Sequence, residues 1–179
     1  MVLINRHNYE EYVKAGLITE LSKVEKRKYE SYHKDNYNED YNLCVKITSQ
    51  SSKWSIIIGY YAMHNQTKLF LAKFGLKISD KAAHTATLIA LRKIIQDDKI
   101  KKKVIELLEK AQQTYDVLNT PFKEKVIGNL LSKSLEERKK AQYYSQDTNK
   151  IALLNAMSFQ ENILKPYIEI INKLIENVD

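Results

Sequence analysis

Trp54–Gly75 reads WSIIIGYYAMHNQTKLFLAKFG and contains no acidic residue. Apolar side chains occur almost all round a helical wheel, from Ile56, Ile57, Ile58, Tyr60, Tyr61, Ala62 and Met63 to Leu69, Phe70, Leu71 and Phe74. A helix that is apolar on every side has to be enclosed by other helices, so Trp54–Phe74 is expected to be the central and most buried element. Ser51–Ser52 supply a cap before it and Gly75 a stop after it.

Working outward toward the C-terminus, Ser79 or Asp80 is expected to cap a helix in which Ala83, Ala86, Thr87, Ala90, Leu91 and Ile94 keep helical spacing. Asp97–Asp98 mark a break, and another helix is expected to run to Leu118. Asn119–Thr120–Pro121 reads as a cap followed by proline at the first helical position, opening a helix from Phe122 to about Tyr144 that Gly128 weakens. A last helix from about Thr148 to Val178 is expected to kink at Pro166.

Toward the N-terminus, Asn8 caps a short helix through Ala15 that Gly16 ends, and a longer helix follows from Thr19 to near Asn42. Leu43–Thr48 alternates enough to be extended, but an isolated strand has no partner, and the segment reads as a connector. The pieces assemble as an all-α, antiparallel up-and-down bundle of four to five main helices. Residues 51–179 form that bundle and residues 1–50 an N-terminal helical extension packed on it, in one structural unit.

Composition agrees. The chain has 179 residues, enough for a proper core, with only 4 glycines and 2 prolines, which favours helices over sheets rich in turns. One cysteine, Cys44, excludes an internal disulfide framework and makes a reducing cytoplasm the simplest location. No apolar run is long enough for a signal peptide or a membrane span, so no membrane partner is expected. The net charge of +7 is compatible with a polyanion, but the basic residues are dispersed and there is no basic tail. Lys101, Lys102 and Lys103 alternate with Glu106 and Glu109 and read first as a solvated helix face.

Few residues carry chemistry. Glu30-Ser31-Tyr32-His33 has the spacing of a bundle metal ligand pair, but a di-metal site needs a second such motif, and none exists. No metal or other cofactor is expected. His64 falls one turn after Tyr60 on the central helix and reads as a hydrogen-bonded core or interface imidazole. His84, at the start of the next helix, either packs at the helix end or lies where backbone N–H groups receive an anion.

These residues carry a family resemblance. Trp54–Gly75 resembles the tyrosine-tyrosine-alanine-methionine helix of HEPN domains (higher eukaryotes and prokaryotes nucleotide-binding), especially the small stand-alone prokaryotic ones. His84 is similar to the histidine that those proteins often carry at the start of the following helix. Within LEERKKAQYY, Leu135–Tyr144, the residues Leu135, Arg138, Ala141 and Tyr143 are similar to the family's late-helix pattern, and Ala152, Ala156 and Phe159 match its final helix. The resemblance spans about residues 53–178.

The resemblance implies a helical bundle that pairs as a homodimer. In active members an arginine and a histidine a few residues later form a ribonuclease site across the dimer without metal. The imidazole takes a proton from a ribose hydroxyl, and the guanidinium holds the charge developing on phosphate. Here Arg138 takes the arginine's place, Tyr143 stands where the histidine would be, and no histidine follows to the C-terminus. A phenol titrating near 10 is a poor base at neutral pH. Arg138, with Gln142 one turn on, remains able to hold phosphate. Arg138, Tyr143 and Tyr144 equally suit a dimer interface.

The implied function is a non-catalytic or weakly catalytic HEPN-like protein that binds RNA or nucleotide through Arg138, Gln142, Tyr143 and His84. A minimal nucleotidyltransferase of a toxin–antitoxin or defence module is the protein partner the resemblance suggests. One alternative is a metal-independent RNA endonuclease pairing Arg138 with His84 or His64. Another is a structural helical adaptor.

Overall fold

The computed structural model describes residues 8–131 and 156–178. Its class is all-α, a bundle of helices with one small two-stranded sheet at its edge. Helix α1, Tyr9–Lys14, opens on Asn8, whose side chain accepts from the Glu10 N–H at 3.0 Å. Gly16, at φ +67°, then turns the chain where a side chain would be strained.

The next segment departs from the sequence reading. Residues Ile18–Glu20 form strand β1, which pairs antiparallel with β2, Leu76–Ile78, placing Ile18 opposite Ile78 and Glu20 opposite Leu76. The helix expected from Thr19 begins at Ser22 instead. There the Ser22 N–H donates to the Glu25 carboxylate at 3.0 Å and the Glu25 N–H to Ser22 Oγ at 3.3 Å, a reciprocal cap that defines α2, Lys23–Lys46. The same helix continues through Leu43–Lys46, which the alternating pattern made a connector. Packing along the central helix, with Cys44 fully buried, overrides the weak helical preference of the asparagine-rich stretch before it.

Helix α3, Ser52–Lys73, is the central element, with buried residues on all sides from Ser52 to Ala72. Ser51 occupies the cap position but its side chain makes no capping bond. Trp54, Tyr61 and Phe74 are exceptions to the burial and face solvent. At Gly59 the neighbours come so close that an added Cβ would lie 2.9 Å from Phe159 Cε1 and 3.0 Å from Cys44 Sγ. That contact draws α2, α3 and the C-terminal segment together. Ser55 Oγ donates to the Cys44 carbonyl at 2.9 Å, and Gln160 Nε2 donates to Ser55 Oγ at 3.1 Å, so the joint is also hydrogen-bonded.

Gly75, at φ +72°, ends the turn after α3 and leads into β2. Helix α4, Ala83–Ile94, is capped neither by Ser79 nor by Asp80: Ser79 extends the two-stranded sheet, its N–H donating to the Leu17 carbonyl at 3.0 Å, and Asp80 pairs with Lys68 at 3.2 Å. Ala82 takes the cap position in the left-handed region, at φ 53°. Asp97 then accepts from the Lys99 and Ile100 N–H groups at 2.9 Å each, starting α5, Asp98–Leu131.

The break expected at Asn119–Thr120–Pro121 does not occur, since α5 runs through it. A cap-plus-proline signal marks a helix start only where the preceding helix has no reason to continue, and a proline inside a helix removes one hydrogen bond rather than the element. Near the C-terminus a π-helical turn, Gln160–Leu164, precedes α6, Lys165–Glu176. The wider turn lies just before Pro166, where a kink was expected. It relieves the clash between the proline ring and the carbonyl one turn earlier.

Candidate functional site

Arg138, Gln142, Tyr143 and Tyr144 lie outside the described residues. His64 and His84 are described, and the fold brings them together. Their rings, one from the middle of α3 and one from the first turn of α4, are 5.8 Å apart. The Tyr60 ring, one turn before His64, meets the His64 ring edge-on at 4.5 Å.

The two histidines differ in what they can do. His64 is 8 % exposed and its Nε2 has no hydrogen-bond partner among the described residues. Burial first, then the neighbouring His84 and Lys68, push its pKa down to about 3, so it stays neutral at ordinary pH. His84 is only half-buried. Burial lowers its pKa and the Asp116 carboxylate opposes that shift.

A directed string of hydrogen bonds connects His84 to α5. The Tyr60 hydroxyl donates to Gln112 Oε1, and Gln112 Nε2 donates to Asp116 Oδ1 at 2.8 Å. With its one proton committed, the Tyr60 oxygen can only accept from His84 Nδ1, 3.4 Å away. This direction makes His84 Nε2 the lone-pair nitrogen. Burial pushes the Tyr60 phenol up, so the hydroxyl keeps its proton.

Beside this string two further tyrosines reach solvent. Tyr61 and Tyr115 join hydroxyl to hydroxyl at 3.1 Å, and the Tyr115 ring stacks on Tyr60 at 4.6 Å. Tyr61 is 47 % exposed. The site therefore combines a neutral imidazole acceptor, a phenol and an accessible aromatic face. Among the described residues no group of three or more His, Cys, Asp or Glu is placed to hold a metal ion.

A second polar cluster escaped the sequence reading. Sequence spacing relates His33 to Glu30, yet it turns toward α3, where its Nδ1 meets Asn65 Oδ1 at 2.8 Å, while Asn65 Nδ2 donates to Asp40 Oδ2 at 2.8 Å. The available signal was the stripe His33, Asn36, Asp40, whose spacing puts all three on one face of α2.

No protein-family model, curated protein or solved structure matches this chain. No described helix is long and apolar enough to cross a membrane.

Proposed function

We propose that this chain is a HEPN-like helical protein that binds RNA or nucleotide and has little or no nuclease activity of its own. The observation that carries this reading is the half-buried His84, oriented by Tyr60 and Gln112 beside the accessible Tyr61–Tyr115 pair. An aromatic face next to a hydrogen-bond acceptor is what an unstacked base meets in single-strand recognition, and stacking of this kind is tolerant of sequence. The net charge of +7 favours a polyanion in the same direction. Arg138 supplies the phosphate contact that the resemblance assigns to its helix, and a homodimer brings two such surfaces together. A minimal nucleotidyltransferase is the protein partner of this reading.

Weak catalysis follows from Tyr143, which leaves the arginine without the nearby imidazole that active members use. The endonuclease remains the second reading because one observation favours it. His84 Nε2 holds a lone pair and the ring is neutral, as a general base requires.

RNA incubated in EDTA with the native protein, Arg138→Ala, His84→Ala and Tyr143→His separates the two. Binding without cleavage by the native protein, with cleavage gained in Tyr143→His, supports the non-catalytic reading. Cleavage by the native protein that both alanine variants lose supports the endonuclease.

A further inference from the structure

A cleft of about 730 Å³ opens between α2, α3 and the β1–β2 sheet, in the size range of small-molecule sites. Tyr32, His33, Asp40, Tyr61, Asn65 and Lys68 are among its walls. Its hydrogen bonds have one consistent direction. Asn65 donates from Nδ2 to Asp40, so its Oδ1 accepts from His33 Nδ1–H. The remaining nitrogen of His33, Nε2, and the second oxygen of Asp40, Oδ1, are then acceptors with no partner among the described residues.

Charge narrows the ligand. Lys68 is paired with Asp80 at 3.2 Å, and the two further charges in the walls, Lys77 and Asp40, are of opposite sign. The cleft thus has no net field for a multiply charged anion. It offers two free acceptors to hydroxyl groups, and two aromatic rings, Tyr32 at 63 % and Tyr61 at 47 % exposure, to a ring face. A carboxylate has lone pairs enough to accept from adjacent hydroxyls while still holding Asn65.

We propose that this cleft binds a neutral polyhydroxylated ring, a free sugar or the ribose of a nucleoside, through Asp40, His33 and the Tyr32 and Tyr61 rings. This site is separate from the His84 cluster and does not depend on the RNA-binding reading. Tyr61 is the one residue the two share.

Titration calorimetry of the full chain tests the proposal with adenosine, 2′-deoxyadenosine and glucose as separate ligands, against the native protein, Asp40→Asn and Tyr32→Ala. Saturable binding of adenosine alone identifies a nucleoside ribose, of glucose alone a free sugar, and of both the shared diol chemistry. Asp40→Asn is expected to weaken the bound ligand by about tenfold or more, the effect of losing a hydrogen bond to a charged acceptor. Tyr32→Ala, at an exposed position, should weaken it without unfolding the chain, which circular dichroism verifies for both variants. The proposal is overturned if neither adenosine nor glucose binds, if 2′-deoxyadenosine binds as tightly as adenosine, or if both variants bind like the native protein.

Discussion

The Tyr60 hydroxyl stands 3.4 Å from His84 Nδ1, joining the central helix to the first turn of α4. The same hydroxyl donates to Gln112 on α5, so one phenol ties three helices at the point where the candidate site reaches solvent. Tyr60→Phe keeps the ring and its stacking on Tyr115 but leaves Gln112 Oε1 and His84 Nδ1 without that partner. A loss of about 1–2 kcal/mol in urea unfolding is expected. An unchanged midpoint would mean that water replaces the bridge without cost.

The neutral, buried His64 makes stability depend on pH. Its pKa is lowered in the folded chain to about 3 from an unfolded value of 6.5, so below about 6.5 the unfolded chain binds a proton that the folded one does not. Its contribution is complete above the unfolded pKa and is lost as pH falls from there toward the folded value. His33 and His84 shift in the same direction, both by burial first. For His64 the slope approaches about 1.4 kcal/mol per pH unit between its two pKa values, and His33 and His84 add to it in the same direction. Urea midpoints from pH 7.5 to 5 should fall, and fall less steeply in His64→Gln; equal slopes would contradict the assignment.

Gly59 is where α2, α3 and the C-terminal segment come closest. A methyl group there would lie 2.9 Å from Phe159 Cε1 and 3.0 Å from Cys44 Sγ, both in the core. Gly59→Ala should destabilise by about 1–3 kcal/mol despite the better helical propensity of alanine. A raised melting temperature would show that the contact relaxes.

Thr67 and Tyr167, both 0 % exposed, meet hydroxyl to hydroxyl at 2.5 Å, linking α3 to α6. Thr67→Val preserves shape and removes the partner of a buried phenol, with an expected cost of about 1–3 kcal/mol in thermal or urea unfolding. A second variant, Thr67→Val with Tyr167→Phe, should recover part of it, because no unpaired hydroxyl is then left inside.

The central helix was legible because an element apolar all round can sit in only one kind of place, and Trp54–Phe74 differs from α3 by two residues at its start and one at its end. The two-stranded sheet was not. Its strands, Ile18–Glu20 and Leu76–Ile78, are three residues each and lie far apart in sequence, so neither shows a period and only the fold pairs them. The start of α2 is ambiguous in sequence because Thr19, itself a good cap residue, stands three residues before the reciprocal cap of Ser22 and Glu25. His64 and His84 were individually visible as candidates, but their proximity depends on the turn at Ala82 that sets α4 against α3. The His33–Asn65–Asp40 string crosses between two helices: the α2 stripe puts His33 and Asp40 on one face, but only the fold brings Asn65 of α3 between them.

The central claim is that this chain binds RNA without cutting it. A mobility-shift titration of mixed single-stranded RNA in EDTA, run from low to moderate salt and then resolved on a denaturing gel, reads binding and integrity together. The account predicts a complex that weakens steeply as salt rises, is impaired in His84→Ala and Arg138→Ala, and releases intact RNA. RNA cut by the native protein, or no complex even at the lowest salt, would contradict it.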